Sequence, residues 1–284
     1  GPSTLRRGIE KSRNLMTVRV AQAIGMSDIS NITKKFGIYE DVPKVLSVSL
    51  GSAETVLLKL TNAYCSFVNG GKKSRSILID RIQDRRGKTI FNADERKCIG
   101  CEGLSYLDDE IPTIQNNSSQ IISPETAYQI TSMLEGVVKR GTGRKLKTLN
   151  LSLAGKTGTT NKNMDAWFIG FTSKIVIGVY VGFDEPKTLG KYETGAKVAL
   201  PVFKKFVEAV VVKKDARPFK IPPNIHLVVV DTETGLKSNF NSKTTIYESF
   251  KSENVKNVNI EKFFTTSKLE NRDINTNKKT LTFY

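Results

Sequence analysis

Three apolar runs separated by short polar links constrain this chain more than any other feature in it. Leu149, Leu151 and Leu153 alternate with Asn150 and Ser152 and lead into Ala154-Gly155-Lys156-Thr157-Gly158-Thr159-Thr160-Asn161. Trp167 to Phe171 and Ile175 to Phe183 follow, joined by Thr172-Ser173-Lys174. Period-two alternation marks a strand with one buried face, and a three-residue link is too short for a crossover. At least three consecutive strands are therefore predicted to meander antiparallel. The triplet Lys156-Thr157-Gly158 is expected near the end of the first of them.

That placement decides what the triplet can do. Lysine supplies a fixed cation, the threonine hydroxyl a donor for a carboxylate, and Gly158 removes a side chain that would keep a ligand off the backbone. An extended peptide could pair with such a strand through its main chain while its C-terminal carboxylate meets Lys156. The attraction is about 4 kcal/mol at ~4 Å for an effective dielectric near 20. Taken alone the triplet is common, so its context decides its meaning.

Helices surround the predicted meander. Ser3 is read as the N-cap of a helix from Thr4 to Lys11, and a second helix runs from about Leu15 to Ile24, with Leu15, Val18, Ala21 and Ile24 on one face and Gly25 as its stop. Between them, Ser12-Arg13-Asn14 is either ordinary capping or a pair aimed at one cavity, the serine relaying protons and the asparagine holding a peptide amide. Residues 28–50 read as loop-rich. Thr55 to Val68 is predicted helical, with Val56, Leu60, Ala63, Tyr64 and Phe67 buried, and Asp84 to Lys88 reads as a hairpin turn. Ser123-Pro124 opens a helix with the stripe Ala127, Ile130, Leu134 and Val137, closed by Gly141-Thr142-Gly143. Pro201 opens another, with Phe203, Phe206, Val207 and Val210 inward. Helices before and after an antiparallel sheet make the fold class α+β. The domain reading is 1–214 as the main domain, with an exposed excursion at 72–120, then 215–284 as a C-terminal strand (Ile225 to Asp231), a turn at Thr232 to Gly235, and a polar, partly mobile tail.

Composition narrows the function. With 284 residues, 38% of them hydrophobic, the chain can bury a substantial core. Its 44 Lys and Arg against 28 Asp and Glu give a charge of +16, which suits anionic surroundings or simply a solvated surface. No zinc-finger spacing or dense basic-aromatic run points to nucleic acid. Cys98 and Cys101 form a single C-x-x-C, too few ligands for a tetrahedral zinc, and the lone His226 sits in an apolar run as a structural residue. Metal binding is not expected. A small-loop disulfide between Cys98 and Cys101 in an oxidising compartment is the preferred reading, with free thiols as the alternative. No run of 18 apolar residues and no signal-like N-terminus is present, so an anchor or export signal is expected outside this chain, which reads as a fragment of something longer.

Ser-x-Asn and Lys-Thr-Gly on one chain, when accompanied by Ser-x-x-Lys, are a signature of penicillin-binding proteins and class A β-lactamases. The wider wording is more specific. Glu10 to Asn14, Ala127-Tyr128, Leu134 to Val138, Arg140 to Gly143, Ala154 to Asn161, Asp165 to Gly170 and Gly178 to Gly182 resemble the transpeptidase domain of class A penicillin-binding proteins of the 1A type, as far as about Phe250. The resemblance implies a penicillin-binding-protein/β-lactamase-like fold, truncated at its N-terminus, on the periplasmic or extracytoplasmic side of the membrane. It implies cross-linking of peptidoglycan stem peptides, acylation by β-lactams, and no cofactor. Ser12 would relay protons to the leaving group and Asn14 would hold the peptide amide. Lys156 would bond Ser12 and attract the substrate carboxylate, with Thr157, Gly158 and Thr159 lining its site. The Thr159 backbone N–H would be half of the oxyanion hole.

One departure is serious: no serine in the sequence is followed three positions later by lysine. The family's nucleophile and its lysine precede Ser-x-Asn, so they are expected upstream of Gly1, in a part of the protein that would be a partner of this chain. Loss of a catalytic serine costs on the order of 10⁶ in rate, so the chain alone is expected to be inert. The alternatives are a serine β-lactamase or D,D-carboxypeptidase, in which water resolves the acyl-enzyme, and a non-catalytic basic module that binds acidic wall polymers.

Overall fold

The computed structural model describes residues 3–99, 101, 113–115, 118–211, 217–238 and 242–255 of the 284. Its helices are α1 (Leu5–Glu10), α2 (Asn14–Ile24), α3 (Met26–Lys35), α4 (Leu57–Val68), α5 (Pro124–Arg140), α6 (Ala199–Val210) and α7 (Ser252–Val255). Its strands are β1 (Arg81–Gln83), β2 (Thr89–Asn92), β3 (Cys98–Ile99), β4 (Thr113–Ile114), β5 (Ala154–Thr159), β6 (Ala166–Phe171), β7 (Val176–Val181), β8 (Ile225–Asp231) and β9 (Thr245–Lys251).

The predicted meander is the centre of the fold. Strands β5, β6 and β7 lie side by side, antiparallel and in unbroken register, with β5 at one edge. Because successive side chains leave a strand on opposite faces, β6 feeds two cores. Ala166 and Phe168 pack with Phe203 and Val207 of α6 and with Leu146 and Leu153, the Phe168 and Phe203 rings meeting edge to face at 4.8 Å. On the other face Phe171 joins Ala154 of β5, Leu134 and Val137 of α5, and Tyr64 and Phe67 of α4. The architecture is α+β, helices on both faces of an antiparallel sheet. Among the described residues no helix is long and apolar enough to cross a membrane.

Helix α5 is the longest described helix, and its signals are local. The Ser123 hydroxyl accepts the Thr126 N–H at 3.2 Å, Pro124 occupies the first turn, and Gly141 ends it. Short helix α1 is held against α5 by one buried side chain. The Arg6 guanidinium donates to the Ser132 carbonyl and hydroxyl at 2.8 and 2.9 Å, and to both carboxylate oxygens of Glu248 on β9. Arg6 is 5% exposed, so this fork binds α1, α5 and the β8–β9 hairpin into one unit.

Several expectations need correction. Thr4, not Ser3, caps α1, its hydroxyl accepting the Arg7 N–H at 3.2 Å. The Leu149–Leu153 alternation marks burial and not a strand: residues Arg144–Leu149 form a 3₁₀ helix and Asn150 adopts a left-handed conformation, yet Leu149, Leu151 and Leu153 all pack on the α6-side core. The triplet therefore lies within β5 itself. Residues 28–50 are less irregular than expected, holding most of α3 and a 3₁₀ turn at Leu46–Leu50. On α2 only Ala21 is buried, while Leu15 and Ile24 are exposed, as are Val56 before α4 and Phe206 and Val210 on α6. Period 3.6 counts which residues share a face but not how much of that face meets a neighbour. Strand β9 falls in the stretch expected to be a polar tail; it pairs with β8 over seven residues because that pairing, with Arg6, compensates a weak local pattern. The rest of that tail, 256–284, lies outside the described residues, as do parts of the 72–120 excursion. His226 is exposed, its Nε2 3.0 Å from the Ser252 hydroxyl.

Replacing Glu248 by alanine leaves the buried Arg6 guanidinium with Glu10, at 3.7 Å, as its remaining carboxylate, and is expected to lower stability by about 2 to 3 kcal/mol in denaturant melts. Lys243→Ala, on the exposed end of the same hairpin, is expected to change it by less than about 0.5 kcal/mol.

Candidate active site

Helix α1 ends at Glu10, and Lys11, Ser12 and Arg13 carry the chain into α2. Ser12 sits at φ 52°, a left-handed conformation uncommon for serine. Its N–H donates to the Ile9 carbonyl at 3.2 Å and the Arg13 N–H to Gly8 at 2.9 Å, which fixes the turn. The end of α5 wraps this turn from outside. Lys11 Nζ donates to the Arg140 carbonyl at 2.9 Å, the Thr142 N–H donates to the Glu10 carbonyl at 3.1 Å, and Arg140 is ion-paired with the Glu10 carboxylate. A Cβ at residue 141 would collide with the Glu10 carbonyl oxygen, so only glycine lets the two segments close.

Strand β5 supplies the opposite wall. Lys156 follows Ala154 by two residues and so leaves the same face of the sheet, the face that α4 and α5 cover. Its Nζ donates to the Ser12 hydroxyl at 2.7 Å and to the Thr157 carbonyl at 3.0 Å. Burial disfavours the ammonium and pulls its pKa from 10.5 to about 8. The Thr157 hydroxyl lies 3.0 Å from that of Thr142, and the Thr159 hydroxyl accepts the Gly195 N–H at 3.0 Å. Gly195 is packed so tightly that a Cβ would collide with the carbonyl oxygens of Gly158 and Trp167. At Gly158 a Cβ would lie 3.1 Å from Trp167 Cβ, so the missing side chain spares a contact inside the sheet.

The structure thus brings Ser12, Lys156 and Thr157 together across 144 residues of sequence. Thr159 stands two residues further along the same edge strand, whose outer side has no neighbouring strand among the described residues. Asn14 is the first residue of α2; it is exposed and makes no side-chain hydrogen bond among the described residues. Cys98 and Cys101 are joined as a disulfide with a Cα separation of 5.6 Å, beside the β3–β4 pair. Among the described residues no three His, Cys, Asp or Glu side chains gather as a metal site would need. Thr142, Lys11 and the Glu10–Arg140 pair lie inside the stretches Glu10 to Asn14 and Arg140 to Gly143 that carry the resemblance, yet the motifs give them no role. Gly-Thr-Gly after an amphipathic helix reads first as a helix stop, and Gly195 carries no local signal at all.

Chemically, the arrangement offers an amine poised to exchange a proton at near-neutral pH, a hydroxyl in contact with it, and a threonine-lined edge strand ready to pair with an extended chain. Residues 1–208 match the family model of the penicillin binding protein transpeptidase domain. Penicillin-binding protein 1A of Rickettsia conorii is 46% identical over 257 residues, covering 90% of this chain and 32% of that protein. Penicillin-binding protein 1A of Pseudomonas aeruginosa is 33% identical, covering 89% of this chain and 34% of its own length. The crystal structure of penicillin-binding protein 1A from Haemophilus influenzae superposes with a TM-score of 0.73 at 30% identity, over 87% of this chain and 40% of that one. The chain spans about a third of the length of the curated relatives it matches. With the motifs, the fold and the paired serine and lysine all in agreement, the chain belongs to the penicillin-binding protein transpeptidase family.

Proposed function

We propose that this chain forms one wall of a serine D,D-transpeptidase site that cross-links peptidoglycan stem peptides and binds β-lactams. The observation that carries the reading is the 2.7 Å contact between Lys156 Nζ and Ser12 Oγ. In this reading the lysine, its pKa held near 8, receives and returns the proton that Ser12 passes to the departing D-alanine. In its charged form Lys156 attracts the peptide carboxylate, which the hydroxyls of Thr157 and Thr159 also meet. Asn14, at the exposed rim, takes up a peptide amide once substrate covers it. The Thr159 N–H on the open edge is one oxyanion donor. Gly158 keeps β5 flat against Trp167, so that the substrate main chain can pair along the edge.

In this reading the attacking serine and its lysine belong to a part of a longer protein not included in these 284 residues, which hold no Ser-x-x-Lys. We further propose residues 1–214 as the transpeptidase domain and 215–284 as a C-terminal segment, whose β8–β9 hairpin is held to α1 and α5 through Arg6. The Cys98–Cys101 disulfide fits an oxidising, extracytoplasmic setting.

Two experiments test the reading. A fluorescent penicillin is expected to leave the 284-residue chain unlabelled and to label a longer protein that contains Ser-x-x-Lys, with Lys156→Ala slowing that labelling by about 10²- to 10⁴-fold. Covalent labelling of the 284-residue chain itself contradicts the placement of the nucleophile. A peptide ending in D-Ala-D-Ala is expected to bind the chain without reaction. Its affinity should hold below about pH 8 and fall as pH rises through that value, since the ammonium that meets the carboxylate is then lost. An affinity constant up to about pH 10 contradicts the role of Lys156.

A further inference from the structure

The link between β5 and β6 carries a carboxylate that the roles above leave unused. Asp165 directly precedes β6, and both of its oxygens are met by hydroxyls: Thr160 donates to Oδ2 at 3.1 Å and Tyr180, from β7, to Oδ1 at 2.8 Å. We propose that Asp165, braced by Tyr180, is a positioning residue that holds the Thr159 N–H in place as an oxyanion donor. The inference rests on the site reading above and deepens it.

The need for a brace follows from Gly158. The peptide unit that bears the Thr159 N–H begins at the Gly158 carbonyl, and glycine leaves the torsions on that side freer than any other residue would. An oxyanion donor acts by being preorganised, so this freedom has to be removed from outside. Pairing sets only the direction of the N–H. The Thr160 N–H points across to the Asp165 carbonyl at 3.1 Å, and neighbouring N–H groups of a strand leave on opposite sides, so that of Thr159 faces away from β6. Its angle depends on how firmly each side of it is held.

The structure holds both sides. After Thr159, residues Thr160 and Asp165 are clasped three times: by the backbone bond, by the Asp165 N–H to the Thr160 hydroxyl at 2.8 Å, and by that hydroxyl to the carboxylate. The clasp closes a link with two residues in the left-handed region, Lys162 and Asn163, and offsets their strain. Before Thr159, the Trp167 side chain covers the bare face of Gly158, its Cβ and Cγ 3.1 and 3.7 Å from where a Cβ would sit. Tyr180 joins the two sides. Its ring centroid lies 4.8 Å from that of Trp167, and its hydroxyl ends on Asp165. A Cβ at residue 182 would meet both that hydroxyl and the carboxylate, so Gly182 leaves room for their contact. A carboxylate suits the task because it only accepts, and can take two hydroxyl donors at once.

The test is acylation by a penicillin of a longer protein that contains Ser-x-x-Lys, resolved by stopped flow into the affinity of the first, non-covalent complex and the rate constant of acylation. In Asp165→Ala the rate constant is expected to fall about 10- to 100-fold, less than for outright loss of an oxyanion donor, while the affinity changes by less than about two-fold. Asp165→Asn, which keeps an acceptor for one hydroxyl, is expected to recover most of the rate. Tyr180→Phe keeps the ring against Trp167 and removes only the hydroxyl, so its rate constant is expected to fall about three- to ten-fold with little change in melting temperature. A merely structural role lowers the melting temperature and spares the rate constant of the folded protein. An unaltered rate constant in Tyr180→Phe, which decides the matter if Asp165→Ala does not fold, or losses that lie wholly in affinity, overturn the positioning role and leave the site reading standing. Failure of the unaltered longer protein to label overturns the two together.

Discussion

The contact between Lys156 and Ser12 is the constraint on which the remaining arrangement depends. It joins two segments that share no secondary structure, a turn between short helices and the edge strand of a sheet. Neither could hold the other alone. Ser12 is kept in a left-handed conformation by the hydrogen bonds of its own turn, and that turn is clasped by the end of α5 through Glu10, Arg140 and Thr142. Lys156 is aimed by the pleat of β5, and β5 is fixed by the apolar face it shares with α4 and α5. Helix α5 thus touches both halves of the pair. Its C-terminal turn fixes the serine, and its apolar stripe fixes the strand.

The cost of this design falls on the lysine. Removing an ammonium from water is unfavourable, and the site compensates with a hydroxyl and a carbonyl in place of a carboxylate. An acidic partner would hold Lys156 permanently charged and would repel a substrate carboxylate. The neutral partners leave its proton affinity low, at about 8, and leave the cation available to an incoming anion. The buried Arg6 shows the opposite choice: it is locked to Glu248 and Ser132 and holds elements in place without taking part in chemistry.

Legibility in the sequence followed the range of the interactions. The meander was readable because β6 and β7 are local runs with short links, and α5 because Ser123, Pro124 and Gly141 are signals within its own span. The two motifs were readable as words, yet only their resemblance to a known family joined Ser12 to Lys156, since no periodicity connects residues so far apart. Strand β9 was missed because its burial comes from β8 and Arg6 and not from its own composition. Leu149, Leu151 and Leu153 misled because alternate burial arises in a 3₁₀ turn and the link after it as well as in a strand. The exposed faces of Leu15 and Ile24 on α2, and of Phe206 and Val210 on α6, show the limit of amphipathicity as evidence. It ranks the sides of a helix without measuring what lies against them.

The most direct measurement is of the Lys156 side chain itself, by ¹⁵N NMR of lysine side-chain amino groups across a pH series, with Ser12→Ala as the comparison. The account predicts one lysine that titrates near pH 8 and shifts when the Ser12 hydroxyl is removed. If every lysine titrates near its ordinary value, and none responds to Ser12→Ala, the serine corner and the Lys-Thr-Gly strand do not share a cleft, and the account is wrong.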